Sequence, residues 1–256
     1  MTTQPQPVES VFSRAWELLT RNWILIVPGI VIGLIVGVVT ALLTPATPYD
    51  YSGDAGGALA NAGGYFLRGI VIGLIALLGY IANAAFTVGM AGAAWARGTA
   101  TLADGAASFR EDAGRIVITA IGLILLGILA ALLALPTLTL SLLAYYIFTL
   151  YAMPAAIIGN REGFASIGES FRIASKRFVP TLIIAVLIAA ISFVVRFVAL
   201  LFAFAPFIGP IIAAILVQIV VAFATLVIVG EYLNLREAGT VPPPGPAVPP
   251  SAPTTV

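Results

Sequence analysis

The stretch TLIIAVLIAAISFVVRFVALLFAFA, residues 181–205, carries a single charge, Arg196, in a run otherwise dominated by Leu, Ile, Val, Ala and Phe. A helix crosses about 30 Å of hydrocarbon with about 20 residues, so this run is long enough to span a bilayer. Hydrocarbon offers no partner for a free backbone amide, which leaves a helix as the form it takes there. Five more runs meet the same standard, at 24–43, 66–91, 116–135, 138–159 and 211–230. They lack the period-two alternation of a barrel strand. The expected fold is therefore an all-α integral membrane protein with six transmembrane helices.

Composition points the same way. Of 256 residues, 61% are hydrophobic and 9% charged, whereas a soluble domain carries about 25% charge. The chain has no Cys and no His. That removes thiolate and Ser-His-Asp catalysis, Cys- or His-ligated metals, haem and histidine proton relays. The expectation is a protein that is not an enzyme and holds no cofactor or metal; a lipid-modifying activity would lack an evident acid-base pair. A Gly-rich phosphate loop followed by Lys is missing too, and the basic residues are those of a membrane face, so no nucleic-acid partner is expected.

Ten of the twelve Lys and Arg residues, from Arg14 to Arg236, fall on one side of the predicted spans. The opposite connections, 44–65 with Asp50 and Asp54, the turn at Pro136 and the turn at 206–210, contain none. The positive-inside rule makes the basic side cytoplasmic, with both termini there. Residues 1–23 then form a cytoplasmic N-terminal segment and 24–236 the membrane domain. Residues 237–256 form a Pro-rich tail, disordered or in polyproline II. The first run follows a polar segment bearing Trp16 and Trp23, and reads as a spanning anchor, not a cleaved signal.

The segments before the first, third and fifth spans can be superposed. Shifts of 93 and 155 positions bring Trp16 onto Phe109 and Phe171, Trp23 onto Ile116 and Phe178, and Asn22 onto Arg115 and Arg177. The chain reads as three hairpins, each preceded by an amphipathic interfacial helix. In the third copy Phe164, Ile167, Phe171, Ala174 and Phe178 share one face, with Glu169, Arg172 and Lys176 opposite, so aromatics point down and charges up. Trp16, Trp23, Phe109, Phe171 and Phe178 are the expected interfacial anchors. Thr101 with Asp104, and Ser166 with Glu169, have capping-box spacing. Arg-rich segments of this kind favour anionic lipid.

Residues 145–180, YYIFTLYAMPAAIIGNREGFASIGESFRIASKRFVP, resemble the signature region of a broad bacterial membrane-protein group. That group includes the membrane domain fused in some bacteria to glycerophosphodiester phosphodiesterase. The resemblance rests on an aromatic-rich span ending in Tyr151, Met153 and Pro154, a polar turn at 160–163, and the Ser170, Phe171, Arg172 helix after it. It implies six spans in a bacterial inner (plasma) membrane. Phosphodiesterase activity does not carry over, because that soluble barrel's histidines and metal-binding carboxylates have no counterpart in this chain.

Arg196 is the candidate functional residue, since a charge inside a span is costly and faces protein or water. Gln218 shares its depth counted from the same side, and Ser192, Tyr145 and Tyr146 complete an expected polar cluster. One reading is an anion or headgroup site; the other is an arginine that snorkels outward or clamps two helices. Two functions follow. The first is a non-enzymatic bacterial inner-membrane protein that organises lipid or a membrane partner, including a second copy of itself. The alternative is a transporter for a small or amphiphilic substrate at Arg196 and Gln218. Arg68 reads as an anchor, Asn83 as a lone polar residue, and Glu231 as interfacial beside Tyr232. Gly29, Gly33, Gly37, Gly69 and Gly73 form stripes for close helix approach, either between subunits or, as six spans must pack somewhere, within the bundle, and Pro28 sits in the first turn of its helix.

Overall fold

The computed structural model describes residues 4–44, 55–202, 208–241 and 243, without the side chains of 55–63, 65, 208 and 210. Most of the expected 44–65 connection, with Asp50 and Asp54, lies outside the described residues. So do the 203–207 part of the second turn and the tail beyond Pro243. Nine α-helices are described: α1 (Val8–Arg21), α2 (Val27–Leu43), α3 (Ala55–Arg97), α4 (Leu102–Leu132), α5 (Leu140–Thr149), α6 (Ala152–Ile157), α7 (Gly163–Lys176), α8 (Phe178–Phe202) and α9 (Ile208–Glu237). A single 3-10 turn, Trp23–Ile26, joins α1 to α2. There is no strand among the described residues.

Six helical stretches are long and apolar enough to cross a membrane: Trp23–Leu43, Phe66–Arg97, Leu102–Leu132, Leu140–Ile157, Phe178–Phe202 and Ile211–Glu237. The chain is an all-helical protein of the membrane class. Its exposure is inverted accordingly, with Leu42 81% and Phe193 72% exposed, a penalty in water of about 25 cal/mol per Å² that hydrocarbon does not impose. α2 packs on α3, α4 on α5 and α6, and α8 on α9; α3 joins these pairs through α4 and α9. The buried core gathers at the charge-bearing ends of the helices, around Leu19, Ala91, Ala94, Tyr151, Leu226 and Tyr232. Hydrogen bonds knit the same ends, from Asn22 to Gly98 and Ala100, and from Gln6 to Asn234.

Two of the short helices end in the same backbone form. α1 ends at Asn22 and α7 at Arg177, with φ/ψ of −125°/60° and −124°/44°. Pro28 lies in the first turn of α2, as expected, and Pro180 in the first turn of α8. Pro180 withholds an N–H and crowds the Lys176 carbonyl four residues back, in the last turn of α7; the carbonyl that Pro28 crowds is that of Ile24, in the 3-10 turn beyond the end of α1. α4 contains no proline and runs unbroken through Arg115. The second expected surface helix is therefore the opening of the third span itself, and not a separate element.

The fourth span is also interrupted. α5 stops at Thr149 and α6 starts at Ala152, just ahead of Pro154. Ser170 of α7 fills the gap, its Oγ accepting the Tyr151 N–H at 3.0 Å and donating to the Phe148 carbonyl at 2.7 Å. The Thr101 capping box forms as expected at the start of α4. The Ser166 box does not, because α7 begins three residues earlier, at Gly163, whose φ of +42° and contact with Ile118 require glycine. Ser166 donates instead to the Gly163 carbonyl at 2.6 Å. Of the glycine stripes, Gly29 lies against the Gln218 amide, while Gly33, Gly37, Gly69 and Gly73 meet nothing. α2 approaches α3 through Gly79, against Ile32 and Val36, so most of the stripe positions face away from the bundle.

Candidate functional site

The polar cluster expected around Arg196 does not assemble. Arg196 is exposed on α8, Gln218 points to Gly29 on α2, and no hydrogen bond joins them. Ser192, one turn before Arg196, is half-buried. Counting residues from the helix ends leaves the facing direction open, and Gln218 turns to α2 while Arg196 stays exposed.

Tyr145 and Tyr146 belong elsewhere. With Tyr80 they line a cavity of about 520 Å³ among α3, α4, α5, α6 and α9. The remaining wall is apolar, including Leu77, Ile81, Ala120, Ile124, Ile128 and Met153. The hydroxyls that reach it are largely taken up by the protein. Tyr145 donates to the Leu123 carbonyl at 3.0 Å, Thr149 to Tyr145 at 2.7 Å and Thr225 to Val221 at 2.8 Å. Charged side chains are absent from the lining. Tyr80, 72% exposed, and Ile128, 54% exposed, belong both to the lining and to the outer face of the bundle, so the cavity opens sideways between helices. Such a wall suits an apolar chain carrying at most a weak polar group, and offers no acid-base pair to a reacting one.

At the charged end, Glu169 is buried and accepts hydrogen bonds from Arg161 Nε and from the Tyr232 hydroxyl, both at 2.6 Å. Arg161 also donates to the Pro243 carbonyl at 2.9 Å, and Arg236 to that of Ile158 at 3.2 Å. Asp112, buried as well, holds Arg115 at 2.6 Å, and Arg115 reaches Asn160 at 2.6 Å. This corrects the expectation that Glu169 rides on a solvated face. α7 packs sideways against α4 and α6, burying the flank that holds Ser166, Glu169, Ser170 and Ile173. Glu231, expected at the interface, is 1% exposed and accepts from Asn234 at 3.0 Å.

The expected anchors divide. Trp16 and Trp23 are about half exposed, and Phe171 and Phe178 are exposed beside Phe148, with ring centroids 5.1 and 6.4 Å away. Phe109 is half-buried against Phe86 at 5.7 Å. α1 lays Val11, Ala15, Leu18 and Leu19 inward, and packs on α9. Sequence reasoning missed the cavity and the Glu169 network. Pro154 inside an apolar run was the available signal for the first, since a break in a span leaves an irregular wall. The molecule is thus a helical protein of the membrane class, with six stretches long and apolar enough to span and a tyrosine-bearing apolar cavity open between its helices. No known protein family, curated protein or solved structure matches the chain.

Proposed function

We propose that this chain is a non-enzymatic bacterial inner-membrane protein that binds lipid, seating an acyl chain in the cavity between α3, α4 and α5. The observation that carries the reading is that cavity. Its volume of about 520 Å³ falls in the roughly 300–1,000 Å³ range of small-molecule sites, its lining is uncharged, and its mouth faces the hydrocarbon. The positive-inside rule puts the charged helix ends and both termini in the cytoplasm. The matching corners at Asn22 and Arg177 support a repeat of hairpins led by surface helices, and the likeness of residues 145–180 supports kinship with the bacterial six-span group.

A photoactivatable fatty-acyl lipid, incorporated into membranes containing the protein, tests the reading. Adducts are expected on the cavity walls at Leu123, Ile124 and Tyr146, and are expected to fall several-fold in Gly127→Leu. A side chain at Gly127 meets only ordinary contact with Tyr145, at 3.5 Å, and so grows into the cavity. Adducts spread evenly over the outward faces of α2 and α8, unchanged by Gly127→Leu, would overturn it.

One observation favours a second reading, transport of an amphiphile. Broken spans with irregular backbone line substrate paths, and the α5–α6 break contributes Thr149, Leu150, Met153 and Pro154 to the cavity wall. On that reading the substrate path runs through the cavity and not past Arg196 and Gln218. Flux of a labelled lipid across proteoliposomes, lost in Gly127→Leu, separates carriage from simple binding.

A further inference from the structure

The corner between α7 and α8 holds cations without acceptors. Arg172 Nη2 and Arg177 Nε are buried and have no hydrogen-bond partner among the described residues. Arg172, Lys176 and Arg177 form no ion pair among the described residues either, whereas Arg21, Arg97, Arg115 and Arg161 each hold a carboxylate within 2.7 Å. The neighbouring acids are already engaged. Glu169, on the same helix, is taken by Arg161 and Tyr232. Glu231, the carboxylate on which the charge of Arg177 bears, is bound by Asn234. A buried N–H on a charged group with no acceptor is a costly arrangement that native structures resolve with a partner.

Beside these donors the surface is apolar and open. Phe164 and Val179 are each 63% exposed, Phe178 44% and Phe171 38%. The corner lies where α8 enters its apolar run, the depth at which lipid phosphates sit above acyl chains.

We infer that the α7–α8 corner binds the phosphate of an anionic membrane lipid. The Arg172 and Arg177 guanidiniums and the Lys176 ammonium donate to the phosphate oxygens, and the acyl chain lies along Phe171, Phe178 and Val179. Guanidinium matches phosphate oxygens in geometry and charge, and the exposed rings favour a lipid over free phosphate. The inference rests on the membrane-spanning reading of the six helices and not on what fills the cavity.

The experiment uses full-length protein in lipid nanodiscs or detergent micelles, with phosphatidylglycerol competing against phosphatidylcholine and bound lipid counted by native mass spectrometry. Wild-type protein is expected to retain phosphatidylglycerol preferentially. Each of Arg172→Gln and Arg177→Gln is expected to reduce that preference about fivefold, the equivalent of roughly 1 kcal/mol per suitably placed cation. Arg110→Gln, at an exposed position on α4, and the cavity variant Gly127→Leu leave it unchanged. A wild type with no preference, or a folded Arg172→Gln/Arg177→Gln protein that keeps it, overturns the proposal. Full displacement of the lipid by millimolar inorganic phosphate overturns the lipid assignment in favour of a free-phosphate site. If the double variant does not fold, Arg172→Gln/Lys176→Gln carries the same test, and an undiminished preference there overturns the proposal equally.

Discussion

At Asn22 and at Arg177 the chain turns from a short helix into a span with nearly the same backbone, φ close to −125° in both and ψ of 60° and 44°. The side chains differ in what they do with the turn. Asn22 donates to the carbonyls of Leu18 at 2.9 Å and Gly98 at 3.1 Å, and accepts the N–H of Ala100 at 2.8 Å. It closes the joint by binding α1 to the α3–α4 connection, with every polar atom satisfied inside the protein. Arg177 leaves its buried Nε unpaired. The two corners share a backbone form; the residue at the corner decides whether it is sealed or left open to something outside the chain.

The largest effect is expected where the open corner's own helix is fastened. Glu169→Ala strands the Arg161 charge and the buried Tyr232 hydroxyl, and loss of one partner of a buried ion pair costs about 3–5 kcal/mol. The midpoint of unfolding in mixed micelles should fall accordingly, and a shift no larger than that of an exposed-pair variant such as Glu17→Ala would show that α7 is held by apolar packing alone. Next comes the comparison itself. Asn22→Ala leaves the buried Ala100 N–H and the half-buried Gly98 carbonyl without their Asn22 partner, at roughly 1–3 kcal/mol. Arg177→Gln gives up no protein hydrogen bond through Nε, and in lipid-free detergent should stay within about 1 kcal/mol of wild type. Equal losses from the two would erase the distinction between a sealed and an open corner.

The spans were legible because a bilayer imposes a length and an apolarity on every helix that crosses it, and residues 181–205 or 24–43 satisfy both without help from tertiary structure. Thr101 and Asp104 were legible because a capping box is local. Facing direction was not. Residue counting gives Arg196 and Gln218 the same distance from the outer helix ends, but which way each points depends on how α8 and α9 roll against their neighbours. Glu169 was misread for the same reason. An amphipathic pattern identifies two faces, and α7 buries a flank that includes its acid because Arg161 and Tyr232 are there to receive it. The second surface helix failed on a smaller point: the aromatic spacing recurs at Phe109 and Ile116, but no proline follows Arg115, so the helix has no reason to stop.

That role of proline can be tested in the fourth span, where the expected effect is smaller and the logic is reversible. Pro154 removes a main-chain bond, and Ser170 supplies a substitute by linking the Tyr151 N–H to the Phe148 carbonyl across 3.0 and 2.7 Å. Ser170→Ala therefore exposes two backbone groups to an apolar interior, a loss of about 1–2 kcal/mol. Pro154→Ala restores an N–H to the helix and lets α5 and α6 join, after which the hydroxyl of Ser170 has less to do. In the double-mutant cycle the cost of Ser170→Ala should shrink in the Pro154→Ala background, with a coupling of about 0.5–2 kcal/mol. Additive effects would mean that the break is imposed by packing around Tyr151 and not by the proline. A coupled result ties the fourth span to the Arg177 corner under one rule: in each place a proline opens the helix, and the neighbouring side chain determines whether the opening is filled from within the protein.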